Sequence, residues 1–208
     1  KDVIYTPPSV FMQSDGKMVV AGHTDNGSTT KTDFALARYN DDGSLDTNFG
    51  AAGKVTTDFA SGPDFARALV IQSTDHKIIV AGAAYNGANN DLALARIDST
   101  GSPDAGFGSN GKATLDFAGD HDYANAIALQ GDGKIVVAGH AFNGSNDDFA
   151  LARFGSSGVA DTDFGLGGRV IIDFDGQDDR ANTVVLQADG KILAAGHAAT
   201  ATGDDFAL

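Results

Sequence analysis

The chain has 208 residues, 27 of them glycine, and a formal net charge of −14. It contains no cysteine, which excludes disulfides and thiolate metal sites. The acidic excess argues against nucleic acid as a partner, because phosphate recognition needs clustered Lys and Arg, and no apolar run approaches the roughly 18 residues of a membrane-spanning helix.

Glu is absent, so every acidic residue is Asp, a turn and cap residue that forms helices poorly. Glycine is roughly 13% of the chain against about 7% in average proteins. The balance predicts strands joined by many tight turns. The chain begins at Lys1, without Met or a signal-like segment, which reads as a processed or trimmed product.

In chain order, an apolar stretch, Val3-Ile4-Tyr5, comes first and has no counterpart later. A repeat then begins, with units at approximately 9–67, 68–125, 126–182 and 183–208 of a single domain. Gln13, Gln72, Gln130 and Gln187 mark it, at separations of 59, 58 and 57. After each Gln comes a turn and a KIVVAGH-like run. DFALAR follows from Asp33 and Asp148, with DLALAR from Asp91 and a shortened DFAL from Asp205. Phe49-Gly50, Phe107-Gly108 and Phe164-Gly165 each lie 16 residues after the opening Asp, and GKVTTDF, GKATLDF and GRVIIDF close the units.

The third copy shows what one unit forms. Strand one, residues 124 to 130, sets Ile127 and Leu129 on one face and Ala124, Ala126 and Ala128 on the other. The Asp132-Gly133 turn leads to KIVVAGH, apolar on both faces and therefore buried on both. After a loop with Asn143-Gly144, strand three places Phe149 and Leu151 opposite Ala150 and Ala152. Strand four is GRVIIDF. A sheet with a bulky face and an Ala face can stack on a copy of itself, so that repetition builds one core.

The predicted fold is all-β: a β-propeller of four-stranded antiparallel blades, four in this chain. The last unit stops at Leu208 inside strand three. Val3-Ile4-Tyr5, or more broadly residues 1–8, could supply the missing strand as a latch. The polar positions Lys54, Thr56 and Asp58 suit the outer edge this phasing requires. Alternatively strand four is the innermost strand of the following blade. A third reading is a fragment of a larger array, or half of an eight-bladed dimer.

The pattern LQxDGKIxVAG, DFALARF and GxxDTDFGxGGRV resembles the bacterial delta-60 repeat in all four copies. The resemblance implies a β-propeller of large secreted or surface-attached bacterial proteins, without an established catalytic activity or site residues to transfer. The second copy departs from it, with Asp75-His76 in place of Asp-Gly and Ala83 in place of His.

Two groups of residues are candidate metal ligands. His23, His140 and His197 occupy equivalent positions after Ala-Gly, and a ring of imidazoles about an axis could bind a transition metal. The competing reading is a strand-end residue bonded to a loop. Asp173, Asp175 and Asp178 in DFDGQDD, and Asp116, Asp120 and Asp122 in DFAGDHD, are candidate calcium ligands, since calcium takes several oxygens from Gly/Asp loops. Asn40 to Asp46 is a similar loop. Against this, Asp and Gly also simply make turns, and no segment has EF-hand spacing. Asp33 and Arg38 sit five apart, so pairing across blades or to loop backbone is expected in preference to pairing within the strand.

No nucleophile elbow, phosphate loop or zinc-hydrolase helix occurs. The expected function is a non-enzymatic extracellular propeller for binding or surface display, taking a glycan or protein ligand and stabilised by calcium, as a monomer or dimer. The alternative is an extracellular polysaccharide hydrolase or lyase using Asp residues at the channel mouth, and a bare structural spacer is a third possibility. Residues that serve one site should break the repeat, as Ala83, His76, His121 and DFDGQDD do.

Overall fold

A computed structural model describes residues 5–25, 32–60, 62–117, 119–201 and 203–208, with the side chains of 5–8 not described. It holds fifteen strands in four antiparallel sheets and no helix among the described residues. The first sheet is β1 (Tyr5–Met12), β2 (Met18–Asp25), β3 (Thr32–Tyr39) and β4 (Lys54–Thr57). The second is β5 (Asp64–Ile71), β6 (Ile78–Tyr85), β7 (Asn90–Ile97) and β8 (Lys112–Leu115). The third is β9 (Asp122–Leu129), β10 (Ile135–Phe142), β11 (Asp147–Phe154) and β12 (Arg169–Ile172). The fourth has three strands, β13 (Asp179–Leu186), β14 (Ile192–Thr200) and β15 (Gly203–Ala207). Within each sheet the strands follow chain order, so every blade is a meander.

The turns follow from the residues. Gly16, Gly133 and Gly190 take φ of +84°, +84° and +85°, and the preceding Asp accepts the N–H of the following Lys. In the second blade, His76 adopts a positive φ of 56° instead, in a turn one residue longer that joins Gln72 to Lys77.

Stacking follows the large-against-small rule. Phe34 and Leu36 of β3 pack with Ala93 and Ala95 of β7, and Leu92 and Leu94 of β7 pack with Ala150 and Ala152 of β11. Phe149 and Leu151 then meet Ala207 of β15. β6 and β10 are buried on both faces, as their apolar runs require. One expectation fails. Ala124 does not share a face with Ala126 and Ala128: it packs with Ile127 and Leu129 between the second and third sheets, while the other two face the fourth. A β-bulge between them, at Asn125, shifts the pleat by one residue.

β1, β5, β9 and β13 contact their counterparts in neighbouring blades, so the first strand of each unit is innermost and the short fourth strand lies outside. Lys54 and Thr56 are exposed on that outer edge. Tyr5 belongs to β1, where it pairs with His23, while Val3 and Ile4 lie outside the described residues. Among the described residues no strand pairs with the free edge of β15, and no core joins the first and fourth sheets.

The recurring Arg bolts blades together. Arg38 Nε donates to Asp46 at 2.9 Å, and its Nη1 donates to the Ser99 carbonyl of the next blade at 2.7 Å. Arg96 repeats this with Asp104 at 2.7 Å and Ser156 at 2.5 Å. Lys17 and Lys77 reach the same carboxylates, and the guanidinium groups lie over Phe49 and Phe107. Asp46, a candidate loop ligand by sequence, is thereby committed to Arg38 and Lys17.

Candidate functional site

The inner strands β5, β9 and β13 carry the same bulge. Ala66 pairs with Gly82 and Ala68 with Ala81, so Arg67 has no partner residue. Asn125 is skipped in β9 and Asn182 in β13. The Gly of the Ala-Gly-His motif makes this possible, since a Cβ at Gly82, Gly139 or Gly196 would collide with the carbonyl of Phe65, Tyr123 or Arg180. Bulges re-aim side chains, and these three all turn into one cleft.

The cleft occupies about 540 Å³ at the N-terminal ends of β5, β9 and β13, a size suited to a small ligand. Arg67, Tyr123, Asn125, Arg180 and Asn182 come from the inner strands, and His140 and His197 from the strands beside them. His121, Phe142 and Asp147 complete the rim. Tyr123 stacks on His140 with centroids 5.0 Å apart and on His121 at 6.3 Å. The Arg67 guanidinium lies 4.8 Å from the Tyr123 ring centre and donates to Asn125 Oδ1 at 2.6 Å.

Charge is distributed unevenly. Arg180 Nε donates to Asp147 Oδ2 at 2.8 Å, so that pair is neutral. Arg67 has no carboxylate partner among the described residues. Burial and the neighbouring Arg180 lower its pKa, against an opposing effect of Tyr123. His140 is pushed down to about 4, chiefly by burial, with Arg180, Arg67 and His197 adding to the fall and Asp147 opposing it. A protein with a net charge of −14 thus keeps one cleft lined by two Arg and three His with a single carboxylate.

The three repeated histidines do not converge on one ion among the described residues. His140 and His197 share the cleft, each within 3.3 Å of its own Asn amide, whereas His23 packs edge-on against Phe65 in the first joint. The six loop aspartates divide, and Asp116 and Asp122 stay together. Asp116, Asp122 and Asp173 enter carboxylate clusters between blades. Asp120 accepts the backbone N–H of His121, Asp178 accepts that of Asp147, and Asp175 is exposed. Arg67, Tyr123, Asn125, Asp147, Arg180 and Asn182 were not singled out by sequence. The available signal was that the copies differ there: Phe65, Tyr123 and Arg180 at one position, Arg67, Asn125 and Asn182 at the next but one.

Four meander sheets, each built from one repeat and stacked through their inner strands, define a β-propeller repeat protein. The family profile described as "Domain of unknown function (DUF5122) beta-propeller" matches residues 13–49, 74–107, 130–164 and 187–208. These matches cover more than half of the chain, which belongs to that family. No protein with a curated function matches the chain. Among solved structures, the endo-arabinase from Bacteroides thetaiotaomicron VPI-5482 is similar with a TM-score of 0.47 and 12% identity, over 96% of this chain and 72% of that one.

Proposed function

We propose that the protein is a non-catalytic binding module whose inner-strand cleft takes a carboxylate-bearing, hydroxyl-rich ligand such as an acidic saccharide. One observation carries this reading: Arg67 presents a guanidinium without a carboxylate partner among the described residues, in a cationic cleft of an otherwise acidic protein. A guanidinium pairs with a carboxylate through two parallel hydrogen bonds. Asn182, His197 and the outer rim offer further hydrogen-bonding groups for hydroxyls. The resemblance of the repeats to delta-60 units supports a secreted or surface-attached bacterial setting.

A glycoside hydrolase would need a second acid. Glycoside hydrolysis generally uses two carboxyl groups about 5–9.5 Å apart, and the cleft is lined by one, Asp147, already neutralised by Arg180. The test is calorimetric titration with oligogalacturonate, followed by assay for new reducing ends. We expect binding without cleavage, weakened about tenfold or more by Arg67→Ala, the loss of one charge-assisted contact. Cleavage that disappears in Asp147→Asn would establish the enzyme instead. Absence of binding to oligogalacturonate would reject this ligand class.

A further inference from the structure

Three aspartates meet at each joint between blades. Asp33, Asp58 and Asp64 form the first cluster, Asp91, Asp116 and Asp122 the second, and Asp148, Asp173 and Asp179 the third. In each, one residue lies at the start of a third strand, one follows the fourth strand, and one opens the inner strand of the next blade. One carboxylate oxygen from each lies within 4.8 Å of the others. The ligand set is therefore assembled across two blades, and no single loop contains it.

The second and third joints differ from the first in one atom. Asp64 uses both oxygens, accepting the N–H of Phe59 at 2.8 Å and of Tyr85 at 3.2 Å. Asp122 and Asp179 likewise accept from Phe117 and Phe174 through Oδ2, at 2.8 Å in both cases. The backbone N–H groups equivalent to that of Tyr85 belong to Phe142 and Ala199, and the carbonyls of His121 and Asp178 take them. Asp122 Oδ1 and Asp179 Oδ1 are left without a hydrogen-bond partner, in residues that are 0% exposed. A buried carboxylate oxygen lacking a donor is costly unless something positive meets it.

No ion pair neutralises either cluster among the described residues. Asn86 holds Asp91, and Asn143 with Asn146 holds Asp148, but amides orient a carboxylate without cancelling its charge. Arg169 acts on Asp122 only at a distance. Burial, then Asp116 and Asp91, push Asp122 up to about 7. Asp91 and Asp148 are raised as well, first by burial and then by their cluster neighbours.

We propose that the second and third joints each bind one hard divalent cation, calcium, held by Asp91, Asp116 and Asp122 and by Asp148, Asp173 and Asp179. The donors are all carboxylate oxygens, the set preferred by calcium and magnesium over transition metals. Oxygens within 4.8 Å of one another are close enough to be bridged by an ion at calcium–oxygen distances of about 2.3–2.6 Å, and calcium accepts an irregular carboxylate set where magnesium demands a near-ideal octahedron. Each ion would tie the third and fourth strands of one blade to the inner strand of the next. The proposal does not depend on what the cleft binds.

The experiment is titration of the chelator-treated chain with calcium and, separately, magnesium, read by calorimetry and thermal melting. The expected result is two calcium ions per chain and a rise in melting temperature of roughly 5 °C or more at saturating calcium. Asp122→Asn should remove one ion while keeping the acceptor for Phe117. It should also raise the melting temperature in chelator, because a repulsive charge is gone. Asp122→Asn with Asp179→Asn should abolish the calcium response. If these buried changes prevent folding, Asp116→Asn and Asp173→Asn at exposed positions give the same readout. No binding heat and no thermal shift in millimolar calcium would overturn the proposal, as would a wild-type response in the double variant.

Discussion

Gly139 has no side chain because the carbonyl of Tyr123 stands where a Cβ would be. Gly139→Ala should cost about 2–4 kcal/mol, since backbone and not a flexible side chain must yield. It should also weaken ligand binding, because Asn125 is aimed by the bulge that this glycine permits. Chemical denaturation and the oligogalacturonate titration check the two effects. Asp122 offers a test by pH. In chelator its folded pKa is near 7 against an ordinary 3.8, so the folded state holds the proton more tightly. Its contribution is full below about pH 4 and is lost as pH rises through about 7. His140 has the opposite sign: with a folded pKa near 4, it favours folding above 6.5 and loses that as pH falls. Stability measured in chelator should therefore fall from pH 6.5 to 8, and Asp122→Asn should flatten that slope.

At the scale of the element, the blade is a strand meander with one bulky face, one Ala face and an arginine strap. The strap matters more than its exposed counterparts. Arg96 is 7% exposed and joins the side chain of Asp104 to the backbone of Ser156 in the next blade. Arg96→Ala should destabilise by about 2–4 kcal/mol, because it strands a carboxylate and a loop carbonyl together. Lys77 remains beside Asp104 and limits the loss. Removal of the exposed pair partner Lys191, which meets Asp189 of its own turn, should cost much less. Urea unfolding of the two variants measures the contrast.

At the scale of the molecule, the described residues pack the second and third sheets on both faces and the first and fourth on one. Val185 and Phe206 are 52% and 78% exposed on the last sheet, and Val10 and Met12 are 56% and 59% exposed on the first. Stability in a stacked array is a sum over neighbours, so protection should be graded along the chain. Amide exchange should be slowest in β6 and β10 and at least about tenfold faster in β2 and β14. Uniform exchange across the four sheets would mean that the array opens as one unit.

The repeat, the strand order and the large-against-small stacking were legible in the sequence, because each blade needs the same residues to meet its neighbour. Leu92 and Leu94 against Ala150 and Ala152 could be read from alternation alone, a property of period two along a strand. The recurrence of Gln, Asp, Arg and Phe-Gly likewise reported joints. Tertiary structure decided the rest. One unpaired residue in each of β5, β9 and β13 reverses the pleat, moves Ala124 to the other face and turns Arg67, Asn125 and Asn182 into a common cleft. The carboxylate clusters draw one member from each of three segments, two in one blade and one in the next. A bulge is a single residue of register and a cluster is a meeting of distant chain segments. The cluster aspartates recur with the repeat, but a period does not say which segments meet or where register slips, so both become visible only once the blades are stacked.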